Sequence, residues 1–215
     1  MARGRTKQTA TVGVAEHSNS AVVVTVAPDG AFIDRRRIDL TDRNVPTHPH
    51  HHEGSWAVGR YVNTPGARML SLADAVALVE RVRASAERGA RESLEVLAAE
   101  VPMPIARIAI RACPTLPPTI EERIADNRAQ TVADSVMYRE ALATAAQAHG
   151  WRVYWYDRER VFLDAAAALG RDDIDALLHA MGRSIGPPWQ GIHKLAAAAA
   201  LAARRHDPQG RHTRD

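Results

Sequence analysis

Thr11-Val-Gly-Val-Ala-Glu-His17, Ser18-Asn-Ser20, Ala21-Val-Val-Val-Thr-Val26, Pro28-Asp-Gly30 and residues 31–40 follow one another without a break, and their reading decides the fold. The first run is a short strand over 11–15 that ends at Glu16-His17. Ser18-Asn-Ser20 is a turn cluster. The β-branched run 21–26 is strongly strand-forming, because branched side chains suit a pleated, half-buried surface. Pro28-Asp-Gly30 supplies a tight turn in which glycine takes positive φ. The chain then returns over 31–40, with Phe32, Ile38 and Leu40 apolar and Arg35-Arg-Arg37 between them. Three consecutive arginines mark an exposed face or a sheet edge.

Working outward, residues 41–67 are rich in Pro, Gly and His, with no periodicity, which reads as a functional or disordered loop. Ser71 with Asp74 caps a long helix that runs to about residue 99, with apolar positions at Leu72, Val76, Val79 and Val82. Residues 105–110 are a fourth strand. Thr119 with Glu122 caps a short helix, and Thr131 with Asp134 caps a longer one that Gly150 stops. A fifth strand spans 151–156, and its aromatics read mainly as core. Short helices are expected over 161–169 and 172–181, and an Ala-rich helix over 189–205. The order is β-β-β-α-β-α-β-α. It predicts an α/β fold with a mixed five-stranded sheet: a β-meander of three strands, then two strands parallel to the first. Crossovers of helical length favour parallel placement.

The chain has 215 residues, 46% of them hydrophobic, which suits one domain over 11–205 between a basic lead (1–10) and a tail (206–215), both expected to be disordered. A net charge of +3 is compatible with nucleic acid. One cysteine, Cys113, excludes a disulfide framework and fits a reducing cytoplasm. No signal peptide and no membrane-length apolar run is legible. A P-loop, a dinucleotide glycine fingerprint and a nucleophile elbow are all absent from the sequence.

The element order, with Val-Gly-Val-Ala-Glu16 on the first strand and a hairpin directly after it, resembles the ribonuclease H-like superfamily, nearest its RuvC-type resolvases and related transposase domains. The resemblance covers roughly residues 11–203. It implies metal-dependent phosphodiester cleavage, with divalent ions held by acids on the first strand, after the fourth strand and on the last helix. Carried onto this chain, the first acid is Glu16, where the family prefers the shorter Asp. The fourth strand ends in Arg111-Ala-Cys113, with no acid before Glu121. The last helix offers His193, with Lys194 beside it, where an acid is implied.

A hard Mg²⁺ ion needs oxygen ligands that this set lacks, so Mn²⁺ or Zn²⁺ is the better match. The cluster His48-Pro-His50-His51-His52-Glu53 could supply imidazole and carboxylate ligands. The expected site therefore has Glu16, His17 and His193 as catalytic groups and Glu16, His50, His51, His52 and Glu53 as metal ligands. Arg111, Arg139 and Lys194 would hold substrate phosphate. Two functions follow. One is a nuclease-like phosphodiester hydrolase with an atypical His/Glu site. The other is a catalytically inactive domain of the same fold that binds nucleic acid or a protein.

Overall fold

The computed structural model describes residues 8–51 and 70–204. Five strands form one sheet in the order β3-β2-β1-β4-β5. They are β1 (Ala10–His17), β2 (Ser20–Val26), β3 (Phe32–Asp39), β4 (Ile105–Arg111) and β5 (Arg152–Tyr156). β1 and β2 are antiparallel, as are β2 and β3. β1–β4 and β4–β5 are parallel. This is the mixed five-stranded sheet expected from the sequence, a three-strand meander followed by two strands parallel to the first. β1 runs two residues beyond 15, so Glu16 and His17 lie on the strand and not after it.

Alternation along the strands splits the core in two. Val12, Val14, Ala21 and Val23 face α1 (Leu72–Glu100) and α3 (Ala129–Ala148). Ala15, Val22, Val24 and Val26 face α6 (Gly191–Ala203), with α4 (Val161–Leu169) and α5 (Asp175–Ile185) around it. β2 is buried along its whole length because both faces are covered. The alanines of α6 let the helix lie very close to β1. A Cβ placed on Gly13 would sit 2.0 Å from the Ala196 carbonyl oxygen and 2.4 Å from the Ala200 nitrogen. Glycine there is thus a packing requirement for the contact between helix and strand.

Local capping signals account for the starts of α1 and α2. Ser71 Oγ accepts from the Asp74 N–H, and Thr119 with Glu122 forms a reciprocal capping box on α2 (Ile120–Ala125). α3 departs from expectation. It begins at Ala129, and Asp126 Oδ1 accepts from the N–H groups of Arg128 and Ala129, so Thr131 and Asp134 are not its cap. Asp134 is drawn instead into a long-range pair described below. α5 and α6 each begin two to three residues later than the sequence suggests. Trp151 and Tyr156 are core residues, but Trp155 is 43% exposed, so the aromatic strand is not wholly interior.

Residues 41–51 are pinned across the sheet end. Asn19 Nδ2 donates to Thr41 Oγ1 at 3.0 Å, and Tyr138 Oη donates to the Thr47 carbonyl at 2.7 Å. The expected lead and tail, apart from residues 8–10, and the remainder of the histidine loop, including His52 and Glu53, lie outside the described residues.

Candidate phosphate-binding cleft

The carboxyl ends of β1, β4 and β5 meet at one edge of the molecule, the place where open α/β sheets characteristically receive ligands. Glu16 comes from β1. Its side chain is only 7% exposed, and its register partner is Ala21 on β2. α3 carries Arg139 onto it. Arg139 Nε donates to Glu16 Oε1 at 2.7 Å, and a terminal guanidinium nitrogen lies 2.5 Å from the same oxygen. Another terminal nitrogen donates to the Ala112 carbonyl at 3.0 Å. Arg111, at the end of β4, places a guanidinium nitrogen 4.0 Å from Glu16 Oε1. The first-strand carboxylate is therefore compensated by two arginines.

Arg111 and Arg158 line two adjoining clefts. The first, of about 450 Å³, is bounded also by Glu16, His17, Phe162 and the first turn of α6 at Gly191 and Ile192. The second, of about 500 Å³, adds Cys113, Ser135, Arg139, Asp157 and Glu159. Burial raises the Cys113 thiol above its ordinary range, the opposite of what a thiolate nucleophile needs. The Tyr156 phenol is raised too, by burial and then by the Glu16 carboxylate, and its hydroxyl donates to the Val14 carbonyl at 2.9 Å.

The histidines part company. His17 is exposed and lines the first cleft and a third one shared with His193. His193 Nδ1 accepts from the Gln190 N–H at 3.1 Å, capping its own helix, so its proton sits on Nε2. Burial, then the nearby Arg35 charge, lowers its pKa and keeps the ring neutral. Lys194 donates to His179 Nε2 at 3.1 Å. His50 is 1% exposed and tied to α3: its N–H and its Nδ1 reach Asp134 Oδ1 at 3.0 and 2.8 Å. His51 closes the same turn through its N–H to the His48 carbonyl.

Among the described residues, no three His, Cys, Asp or Glu side chains gather where they could share a metal ion. The donor set around Glu16 does not suit a divalent cation. One carboxylate oxygen is engaged by the Arg139 guanidinium, and a further positive charge, Arg111, stands 4.0 Å from it. Sequence reasoning proposed both Arg139 and Glu16 but did not pair them. A usable signal was present: Arg139 sits three residues from both Val136 and Leu142, on the buried face of α3.

The chain is similar in fold to Thermus thermophilus RuvC solved with a Holliday junction substrate. Identity is 14%, the match covers 90% of this chain and 91% of that one, and the TM-score is 0.48. A second Thermus thermophilus RuvC structure gives 16% identity, coverage of 90% and 92%, and a TM-score of 0.45. No protein-family description and no curated protein matches the sequence.

Proposed function

We propose that this protein is a ribonuclease H-like domain that binds the phosphate backbone of nucleic acid without cleaving it through a metal centre of its own. One observation carries the reading: the carboxylate at the first-strand position is held by Arg139, so Arg111, 4.0 Å from that carboxylate, and Arg158 leave the first cleft with an excess of positive charge. The first turn of α6 enters the same cleft at Gly191 and Ile192, and a helix N-terminus presents unpaired N–H groups and a positive dipole end to an anion. Two guanidiniums and a helix start are a phosphate-binding set. A divalent ion as imagined for a nuclease would have to displace Arg139 from Glu16.

The test is fluorescence anisotropy with labelled single strands, duplexes and four-way junctions, of DNA and RNA, over a range of salt and with Mg²⁺ or Mn²⁺ present. Binding without cleavage is expected. Arg111→Ala and Arg158→Ala should weaken binding to all sequences alike and should each reduce the salt slope by about 0.9, the contribution of one duplex phosphate contact. Affinity indifferent to both substitutions would sink the assignment of the cleft. Cleavage that disappears in Glu16→Gln would restore the metal-dependent hydrolase.

A further inference from the structure

The sheet has two edges of opposite character. β3 is protected by charge: Arg35, Arg36 and Arg37 run consecutively between Asp34 and Asp39, and Arg36 pairs with Asp34 and Glu100 at 2.7 Å each. β5, at the other edge, reads Arg152-Val-Tyr-Trp-Tyr156 and carries none of the usual protective devices at its centre: no proline, no bulge, no inward charge. Among the described residues its outer side has no strand neighbour.

We infer that the β5 edge pairs with the β5 edge of a second copy of this chain, antiparallel and about a two-fold axis near Tyr154. The backbone geometry supports this. The Tyr156 carbonyl accepts from the Ala112 N–H, so Tyr156, and by alternation Tyr154 and Arg152, point their peptide groups at β4. Val153 and Trp155 therefore turn both N–H and C=O outward. A two-fold axis at Tyr154 sets Val153 of one copy opposite Trp155 of the other, twice over, and satisfies all four outward groups of each strand's central span.

Side chains agree with the backbone. Trp155 is exposed, and beside it runs a groove of about 640 Å³ lined by Val153, Tyr154, Asp157 and Asp164 among others. In the paired arrangement the indole of each copy enters the groove of the other, where aromatic burial is worth most. The strand is also charge-complementary to itself. Arg152 begins it and Asp157 follows it, so antiparallel pairing brings Arg152 of one copy toward Asp157 of the other. Residues 205–215 are a poorer occupant on sequence: they contain Pro208 and Gly210 and no apolar alternation.

Sedimentation of the full chain across a concentration series tests the inference. A monomer–dimer equilibrium is expected for the wild type. Trp155→Lys, at an exposed position, should weaken dimerisation at least about tenfold. Val153→Pro should do the same, since the N–H it removes faces outward and edge strands accept proline there. Circular dichroism checks that both fold. Hydrogen exchange of the wild type gives an answer that needs no variant: the Val153 and Trp155 amides should become protected as concentration rises. A wild type that stays monomeric, a dimer unchanged in both folded variants, or amides whose exchange ignores concentration would each overturn the inference.

Discussion

α3 and β3 both make ion pairs, but in opposite surroundings. On α3, Arg139 and Asp134 reach into the interior, where Arg139 and Glu16 are 6% and 7% exposed and His50 and Asp134 are 1% and 6% exposed. On β3, Arg37 meets Asp39 at 3.4 Å with 70% and 68% of the two side chains in water. The chemistry is alike and the dielectric is not. A buried pair costs desolvation to form and cannot lose one member cheaply, whereas an exposed pair is screened and its members are individually dispensable. The difference teaches where function is to be sought. The charges left over at the carboxyl end of the sheet are those that the interior pairs do not consume.

The largest effect expected is that of Arg139→Met. It strands the Glu16 carboxylate in the interior, with only Arg111 at 4.0 Å to compensate it. Removing one partner of a buried pair typically costs about 3–5 kcal/mol. In a domain of this size that is about 10 °C in Tm, measurable by calorimetry. The double variant Glu16→Gln, Arg139→Met should recover most of the loss, because both charges are then gone. If the single variant is nearly as stable as wild type, Glu16 is not held as described, and the metal-ligand role returns.

Asp134→Ala comes next. Asp134 Oδ1 accepts both from the His50 N–H and from its imidazole, and among the described residues neither has another acceptor. Leaving buried donors unsatisfied costs about 1–3 kcal/mol. Asp134→Asn retains an oxygen acceptor and should lose less. Hydrogen exchange at the His50 amide should accelerate in the alanine variant. Unchanged protection would mean that the loop is fastened elsewhere, for example through Tyr138 and Thr47.

Much of the fold was legible because its determinants are local. Val-rich strands alternate, Pro28-Asp-Gly30 turns, and Ser71 and Thr119 cap the helices that follow them. The exact start of α3 was not, because Asp134 at a plausible capping position is claimed by His50, 84 residues distant. The site was half legible for the same reason. Glu16 and Arg111 are fixed by strand ends that the pattern predicts. Their relation to Arg139 depends on how α3 docks, and on a pairing that spans 123 residues. Sequence spacing carries no information about which distant charges will share a low-dielectric site. His193 illustrates the converse: its imidazole caps its own helix through Gln190, a local contact with no bearing on metal.

His193 also makes the comparison pH-dependent. Burial and Arg35 hold its folded-state pKa below the ordinary value of 6.5. At acid pH the unfolded chain therefore binds a proton that the folded chain resists. Stability associated with this residue is present above about pH 6.5 and is lost as pH falls through that value toward the folded pKa. Chemical denaturation between pH 7.5 and 5 should show the decline, and His193→Asn, which keeps an acceptor for the Gln190 N–H, should flatten it. A decline of equal size in the Asn variant would assign the titration to another group.

The smallest effect expected is on β3. Arg37→Ala removes an exposed pair at 3.4 Å from Asp39 and should change stability by less than about 0.5 kcal/mol. Its diagnostic value lies in salt. A difference this small should vanish by about 1 M NaCl, where the screening length is about 3 Å. The loss in Arg139→Met should persist, because a buried charge is screened far less. Equal salt sensitivity in the two variants would mean that Glu16 is solvated after all. The first cleft would then contain a free carboxylate beside Arg111 and Arg158, its pull on phosphate would be weakened, and a cation at Glu16 would become the simpler reading of the site.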